Sequence, residues 1–242
     1  MQVNADKSEF IIIRSANRDD IFHQVKVAVQ GKLLERRTAV KILGVHITEH
    51  LKWDVHTSYL IKNLNYVYRG FSRSCRLLKE DTKKLLYNAT VASRLNYSDA
   101  VWDICGARNK RRLQTIQNRC VRRITGSRPG TSAAPLIKSM GWLDLEAKRK
   151  LHKCVLLKKI VDENGPRALK ELMTCFRTGG TVNTRLTAHG GYILPKFNTD
   201  YFRNSFFCDT IKIWNSLPAH LREIKNINTF KENLHKFFAA TS

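Results

Sequence analysis

Residues 109–125 read NKRRLQTIQNRCVRRIT, and the periodicity of this stretch sets the expectation for the rest of the chain. On a wheel of about 100° per residue, Leu113, Ile116, Cys120 and Ile124 fall within about 80° of one another, a stripe suited to face a core. Arg108, Arg112, Arg119 and Arg123 gather on an adjacent flank, with Arg111 and Arg122 further round. A solvated helix face ordinarily mixes both signs of charge. Here no acid occurs between Arg108 and Asp144, and Asp103, off the helix, is the one partner acid in reach. Guanidinium groups match phosphate oxygens in bidentate geometry. The flank is therefore expected to track a nucleic-acid backbone. Gly126, Ser127, Pro129 and Gly130 end the helix.

Outward from this helix the same spacing recurs. Residues 56–78 place Leu60, Leu64, Val67 and Phe71 on one face. Asp81 and Thr82 suit the cap of a helix running through Tyr97, with Leu85, Leu86, Ala89, Ala92 and Leu95 inward. A further helix is expected over Leu145–Val161, ending at Asn164-Gly165-Pro166, then others over 202–214 and 229–238. Residues 177–200, rich in Gly, Thr and Asn, read as a loop with short extended pieces. Before residue 53 the pattern is extended: residues 8–13, then 21–29 with alternating Val25, Val27 and Val29, then 39–47, with a turn near Gly31. The fold expected is mainly α, with a small N-terminal antiparallel β piece too small to stand without a partner. No internal repeat or low-complexity segment interrupts it.

Charge narrows the partners. Lys and Arg number 43 against 20 acids, a net +23. Such a surplus repels itself unless a polyanion offsets it, and nucleic acid is the leading candidate. It is uneven: residues 1–30 are neutral, 31–125 carry +13 and 126–242 carry +10, so the nucleic-acid reading attaches to the chain after residue 30. An acidic membrane surface is the rival partner, but no apolar run approaches the roughly 20 residues of a spanning helix, and no apolar leader opens the chain. The expectation is an intracellular protein with no membrane partner. Lys148, Arg149, Lys150, Lys153, Lys158 and Lys159 form a second basic set that suits solubility as well as binding.

Motifs that would carry chemistry are sparse. The six cysteines form no C-x-x-C pair, and His152 and Cys154 point to different faces of a helix, so no metal site is expected and reduced, mostly buried thiols are. Asp19-Asp20 invites comparison with aspartates that bind catalytic magnesium. Its flanks, Asn17-Arg18, are not apolar strands, and a turn is the better reading. The histidines show no H-E-x-x-H motif, and neither a nucleophile elbow nor a Gly-rich phosphate loop occurs. His46 and His56 read as packed or surface residues, and Trp53, Trp102, Trp142 and Trp214 as core anchors.

Several ordered segments carry a family resemblance. They are 4–10, NADKSEF; 41–56, KILGVHITEHLKWDVH, with Leu43-Gly44-Val45, Leu51, Trp53 and His56; Leu86-Tyr87-Asn88-Ala89; Leu95-Asn96-Tyr97; and Val101-Trp102. Then follow Leu113-Gln114-x-x-Gln117-Asn118-Arg119, Arg123-Ile124-Thr125-Gly126, 202–206 (FRNSF) and 213–218 (IWNSLP). Together they resemble the reverse transcriptases of LINE-type (non-LTR) retrotransposons in the part beyond the catalytic centre. The resemblance covers nearly the whole chain.

It implies an end of a polymerase palm with a primer-grip-like hairpin over 1–52, a helical thumb-like domain over 53–126 and an α-rich C-terminal extension over 127–242. Lys7 matches a family lysine that assists pyrophosphate departure, and is the one match to a catalytic-region motif. Leu43 and Gly44 match the primer grip, so with Arg108, Arg112, Arg119, Arg122 and Arg123 they are the expected nucleic-acid-binding residues. The family's aspartate hairpin, fingers and endonuclease have no counterpart in this sequence. Phosphoryl transfer needs magnesium held by carboxylates, which arginines do not replace. The expectation is a non-catalytic C-terminal fragment of an RNA-directed DNA polymerase that contacts template–primer duplex, RNA or DNA. No cofactor is expected in this chain (the intact family enzyme uses Mg), a separate catalytic polymerase half is a possible partner, and the nucleus is favoured over the cytoplasm. The alternatives are a reused RNA- or DNA-binding adaptor without a polymerase role, and a non-binding remnant whose orphaned strand edges aggregate.

Overall fold

A computed structural model describes residues 4, 7–15, 25–162, 165–178 and 190–241. The architecture is mainly α with small sheets. The N-terminal strands are short: β1 (Glu9–Phe10), β2 (Ala28–Val29), β3 (Lys32–Leu33), β4 (Glu35–Arg36), β5 (Ala39–Ile42) and β6 (Val45–Thr48). β2–β3 and β5–β6 are antiparallel hairpins, closed by Gln30-Gly31 and Leu43-Gly44, all four with positive φ. That is the backbone a two-residue hairpin turn requires. The expected antiparallel piece is therefore only partly right, because β1 pairs with β4 in parallel, Glu9 opposite Glu35. Charge fixes that non-local pairing: Arg37 binds Glu9 at 2.9 Å, and Arg14 and Arg36 converge on Glu49 at 3.1 and 3.5 Å. Asp19-Asp20 lies outside the described residues, as do residues 179–189 of the expected loop, while residues 190–199 carry neither helix nor strand.

From residue 54 the chain is helical. α1 (Asp54–Ser74) buries Leu60, Leu64 and Phe71, as its spacing predicts. α2 (Glu80–Tyr87) runs through a π-helical turn (Asn88–Ala92) into the short α3 (Ser93–Leu95). The wider turn adds a residue per revolution and rotates the inward face. Tyr87, Val91, Ala92 and Leu95 are buried, whereas Leu85 and Ala89, expected inward, are exposed. The side chains of Thr90 and Ser93 donate to the carbonyls of Leu86 and Ala89, a local competition with the helical ladder that suits this bulge.

α4 (Asp99–Trp102) leads to α5 (Gly106–Thr125), which buries Leu113, Ile116, Cys120 and Ile124 and ends on Gly126 in the left-handed conformation. Three contacts align α5 with α1 along their length: Asn109 Nδ2 donates to Asp54 Oδ1, Arg119 to Asn65, and Arg123 to Ser72. The two helices therefore run side by side in the same direction. Their shared core includes Leu64, Phe71, Tyr87, Trp102, Leu113 and Cys120, and each such large apolar side chain contributes about 1.5–3 kcal/mol on full burial.

A second core follows. α6 (Ala133–Ser139) packs on α5, and α7 (Leu145–Val161) has the predicted bounds, with Asp144 capping it by accepting from the Ala147 N–H at 2.7 Å. α8 (Arg167–Thr178), a helix beyond those expected, covers α7. The helix expected over 202–214 is broken into α9 (Asp200–Arg203) and α10 (Phe206–Ser216). α11 (Ala219–Arg222) and α12 (Ile227–Thr241) close the described chain. Leu151, Leu157, Ile211, Trp214, Phe230 and Leu234 fill this core. Among the described residues, no helix is long and apolar enough to cross a membrane.

Candidate nucleic-acid interface

Because α5 commits Leu113, Gln117, Cys120 and Val121 to the interior, a period of 3.6 sends Arg108, Arg111, Arg112, Thr115, Arg119 and Arg122 to the opposite face. From Arg108 to Arg122 this face runs about 21 Å along the helix. Arg108, Arg111 and Arg112 are exposed, and among the described residues none forms an ion pair. The acid expected to answer them is elsewhere. Asp103 is buried and bound to Arg149 at 2.8 Å, Lys110 at 3.1 Å and Lys153. Among the described residues the arginine face is left without a carboxylate, because its one neighbouring acid is used inside the protein.

The C-terminal half of the face is partly ordered by the protein itself. Arg119 donates to Asn65 Oδ1 at 3.1 Å and lays its guanidinium 4.0 Å from the Tyr68 ring centre. Stacking fixes the plane while leaving other N–H donors at the edge for an anion. Arg122 Nε donates to the Thr131 carbonyl at 2.6 Å. Arg123 is held differently from its neighbours. Its Nε and Nη2 both donate to the Ser72 carbonyl, at 3.1 and 2.9 Å, closing an orphan acceptor at the end of α1. It is half-buried and serves as a strut between helices.

Arg119, Arg122 and Arg123 also line a basin of about 420 Å³ with Tyr68, Arg76 and Lys83. Arg76 and Lys83 were not picked out from sequence, because they follow α1 and sit on α2, and only packing brings them to α5. Cys75 lies on the same basin, and burial pushes its thiol up despite the Lys83 and Arg123 charges. The thiols of Cys120 and Cys154, deeper in the two cores, are pushed up to about 12 by burial. These are packing residues held as neutral thiols.

The primer-grip-like residues lie apart from the basin. Leu43 projects from the β5–β6 turn with 85% of its surface exposed and a φ of +46°, a costly backbone for a branched side chain. Tyr97 holds the turn by donating to the Leu43 carbonyl at 2.7 Å, and its ring lies 3.4 Å from where a Gly44 Cβ would be. A pocket of about 490 Å³ beneath the turn is lined by Lys41, Gly44, His56, Tyr59, Arg94 and Tyr97. β6 packs on α1, and His46 at its start reaches His56, whose Nδ1 accepts from the His46 backbone N–H at 3.4 Å. The hairpin thus sits near the Asp54 end of α1, beside the Arg108 end of the arginine face and far from the Arg123 end. His56 is buried, and desolvation followed by the nearby His46 lowers its pKa, which favours the neutral ring. Lys7 is exposed on a single turn before β1, within the N-terminal strands rather than on the α5 face.

The second basic set divides. Arg149, Lys153 and Lys158 are buried, so they neither solubilise the surface nor offer it to a polyanion. Lys153 joins Asp103 to Asp209, the latter at 2.6 Å, tying the α4–α5 turn to α7 and α10. Lys150 pairs with Glu146, and Lys158 with Asp162. His152 hydrogen-bonds Asp99, and Cys154 is wholly buried, so the two point apart as expected. In comparisons with protein-family models, curated proteins and solved structures, nothing matches this chain.

Proposed function

We propose that this chain binds nucleic acid through its sugar–phosphate backbone, gripping a duplex along the exposed arginine face of α5. The carrying observation is that Arg108, Arg111 and Arg112 are exposed with no ion pair among the described residues. Arg119, held by Tyr68 and Asn65, continues the same face. Exposed cations without partners gain from releasing the counterions of a polyanion. A face about 21 Å long spans about six phosphates of one strand at 3.4 Å per phosphate. The resemblance of residues 41–56 and 113–126 to the primer grip and thumb of LINE-type reverse transcriptases favours a template–primer duplex as the ligand. In this reading the described residues position a duplex and do not transfer nucleotides.

The test is a double variant, Arg112→Ala with Arg119→Ala, measured against a short RNA–DNA duplex. Each charge-assisted contact removed is expected to weaken binding by about 1.5–3 kcal/mol, with the chain still cooperatively folded at the assay temperature. Unchanged affinity would reduce the arginine face to a solvated surface. Incubation with primer, template, dNTPs and magnesium is expected to give no extension, and any extension above background would refute the non-catalytic part.

A further inference from the structure

A cleft lies on the other side of α5, where the first core meets α7 and α12. It has a volume of about 880 Å³, within the range that small-molecule sites occupy. Its lining includes Asn96, Trp142, Lys148, His152, Lys231 and Lys236. Glu232 is the one carboxylate among its lining residues and forms no ion pair among the described residues. Lys148, Lys231 and Lys236 likewise have no ion-pair partner among the described residues.

Lys148 is the decisive group. It is half-buried on α7, and desolvation lowers its pKa, with Lys231 adding to the lowering and Asp99 opposing it. The Asp99 carboxylate is already engaged, accepting from His152 Nδ1 at 2.6 Å. That bond leaves Nε2 as the unengaged nitrogen of the ring. A partly desolvated ammonium without an ion pair is unfavourable unless an anion completes it. Trp142 also lines the cleft and stacks on the buried Tyr87, ring centres 4.5 Å apart and 20° from parallel. The cleft therefore combines cations, a free imidazole nitrogen, amides and a rigid aromatic wall. None of these groups belongs to the arginine face.

We propose that this cleft is a binding site for one nucleotide, its phosphate held by Lys148 and Lys231 and its base laid against Trp142. The same chemistry is offered by a free nucleotide and by the unpaired terminal nucleotide of a strand.

Calorimetric titration of the full chain with AMP, adenosine and inorganic phosphate tests it. AMP is expected to bind more tightly than either of its parts. Lys148→Met and Lys231→Ala are each expected to weaken AMP by about tenfold or more, as loss of a charge-assisted bond requires. Lys231 is exposed, so its substitution does not endanger the fold. The Arg112→Ala, Arg119→Ala double variant is expected to keep AMP binding, which separates this site from duplex gripping. A duplex with a one-nucleotide overhang, compared with a blunt one, identifies the source. A gain lost in Lys148→Met marks a strand terminus, and no gain beside intact AMP binding marks a free nucleotide. Absence of AMP binding, AMP no tighter than phosphate, or wild-type affinity in both lysine variants would overturn the proposal.

Discussion

Lys153 has its ammonium enclosed between Asp103 and Asp209, and the Arg149 guanidinium shares Asp103 from the same helix. A charge in this position is tolerated because each ion has a partner, and removing one partner leaves the others buried and uncompensated. Asp103→Ala is expected to destabilise the protein by about 3–5 kcal/mol in chemical denaturation. A loss below about 1 kcal/mol would mean that the cluster is solvated rather than buried. The same group fixes an acid dependence. Burial opposes ionisation of Asp103, but the Lys153, Lys110 and Arg149 charges outweigh it and hold its carboxyl below the usual range. A carboxyl whose folded pKa is depressed contributes stability above its unfolded pKa, about 3.9, and loses it as the pH falls through the folded value. Acid unfolding of Asp103→Asn is expected to lack this component. Sequence alone assigned Asp103 to the arginine flank by proximity in the chain. The residues that claim it, Arg149 and Lys153, are some fifty positions away, and no local spacing discloses that.

At the scale of elements, α5 and α7 were legible because hydrophobic periodicity and the turn residues that end a helix are local properties. The core stripe of α5 follows from its spacing, and Asp144 marks the start of α7 with a side-chain bond. α2 was legible as a helix but not in the face it turns inward, since Leu85 is exposed before the π turn and Ala89 within it. The parallel β1–β4 pair depends on ion pairs between distant residues, and α8 passed unnoticed between Pro166 and a glycine-rich stretch. The glutamines of 113–119 have a structural role that the family resemblance did not specify. Gln117 Nε2 donates to the Leu143 carbonyl at 3.0 Å, and Gln114 Oε1 accepts from the Leu145 N–H at 2.9 Å. They dock the start of α7 on α5. Gln117→Leu is expected to lower stability by about 1–3 kcal/mol, because a buried carbonyl loses its donor. A melting temperature equal to the parent's would show that docking does not depend on this bond.

Over the whole molecule, two apolar cores meet at a joint of buried charge, and the surplus of positive charge divides accordingly. Part of it holds the joint together, part lies along α5 without an ion pair among the described residues, and part faces the cleft beside α12. Only the α5 face was readable beforehand, since it depends on one helix, whereas the cleft needs α5, α7 and α12 in place. The central claim is that the exposed arginines engage phosphates. Its most direct measurement is the affinity of the full chain for an RNA–DNA duplex across a range of salt concentrations. With three to five arginines engaged, a double-logarithmic plot is expected to be linear with a slope of about −3 to −5, and shallower by about two in the Arg112→Ala, Arg119→Ala variant. A slope near zero, or one identical in the parent and the variant, would contradict it.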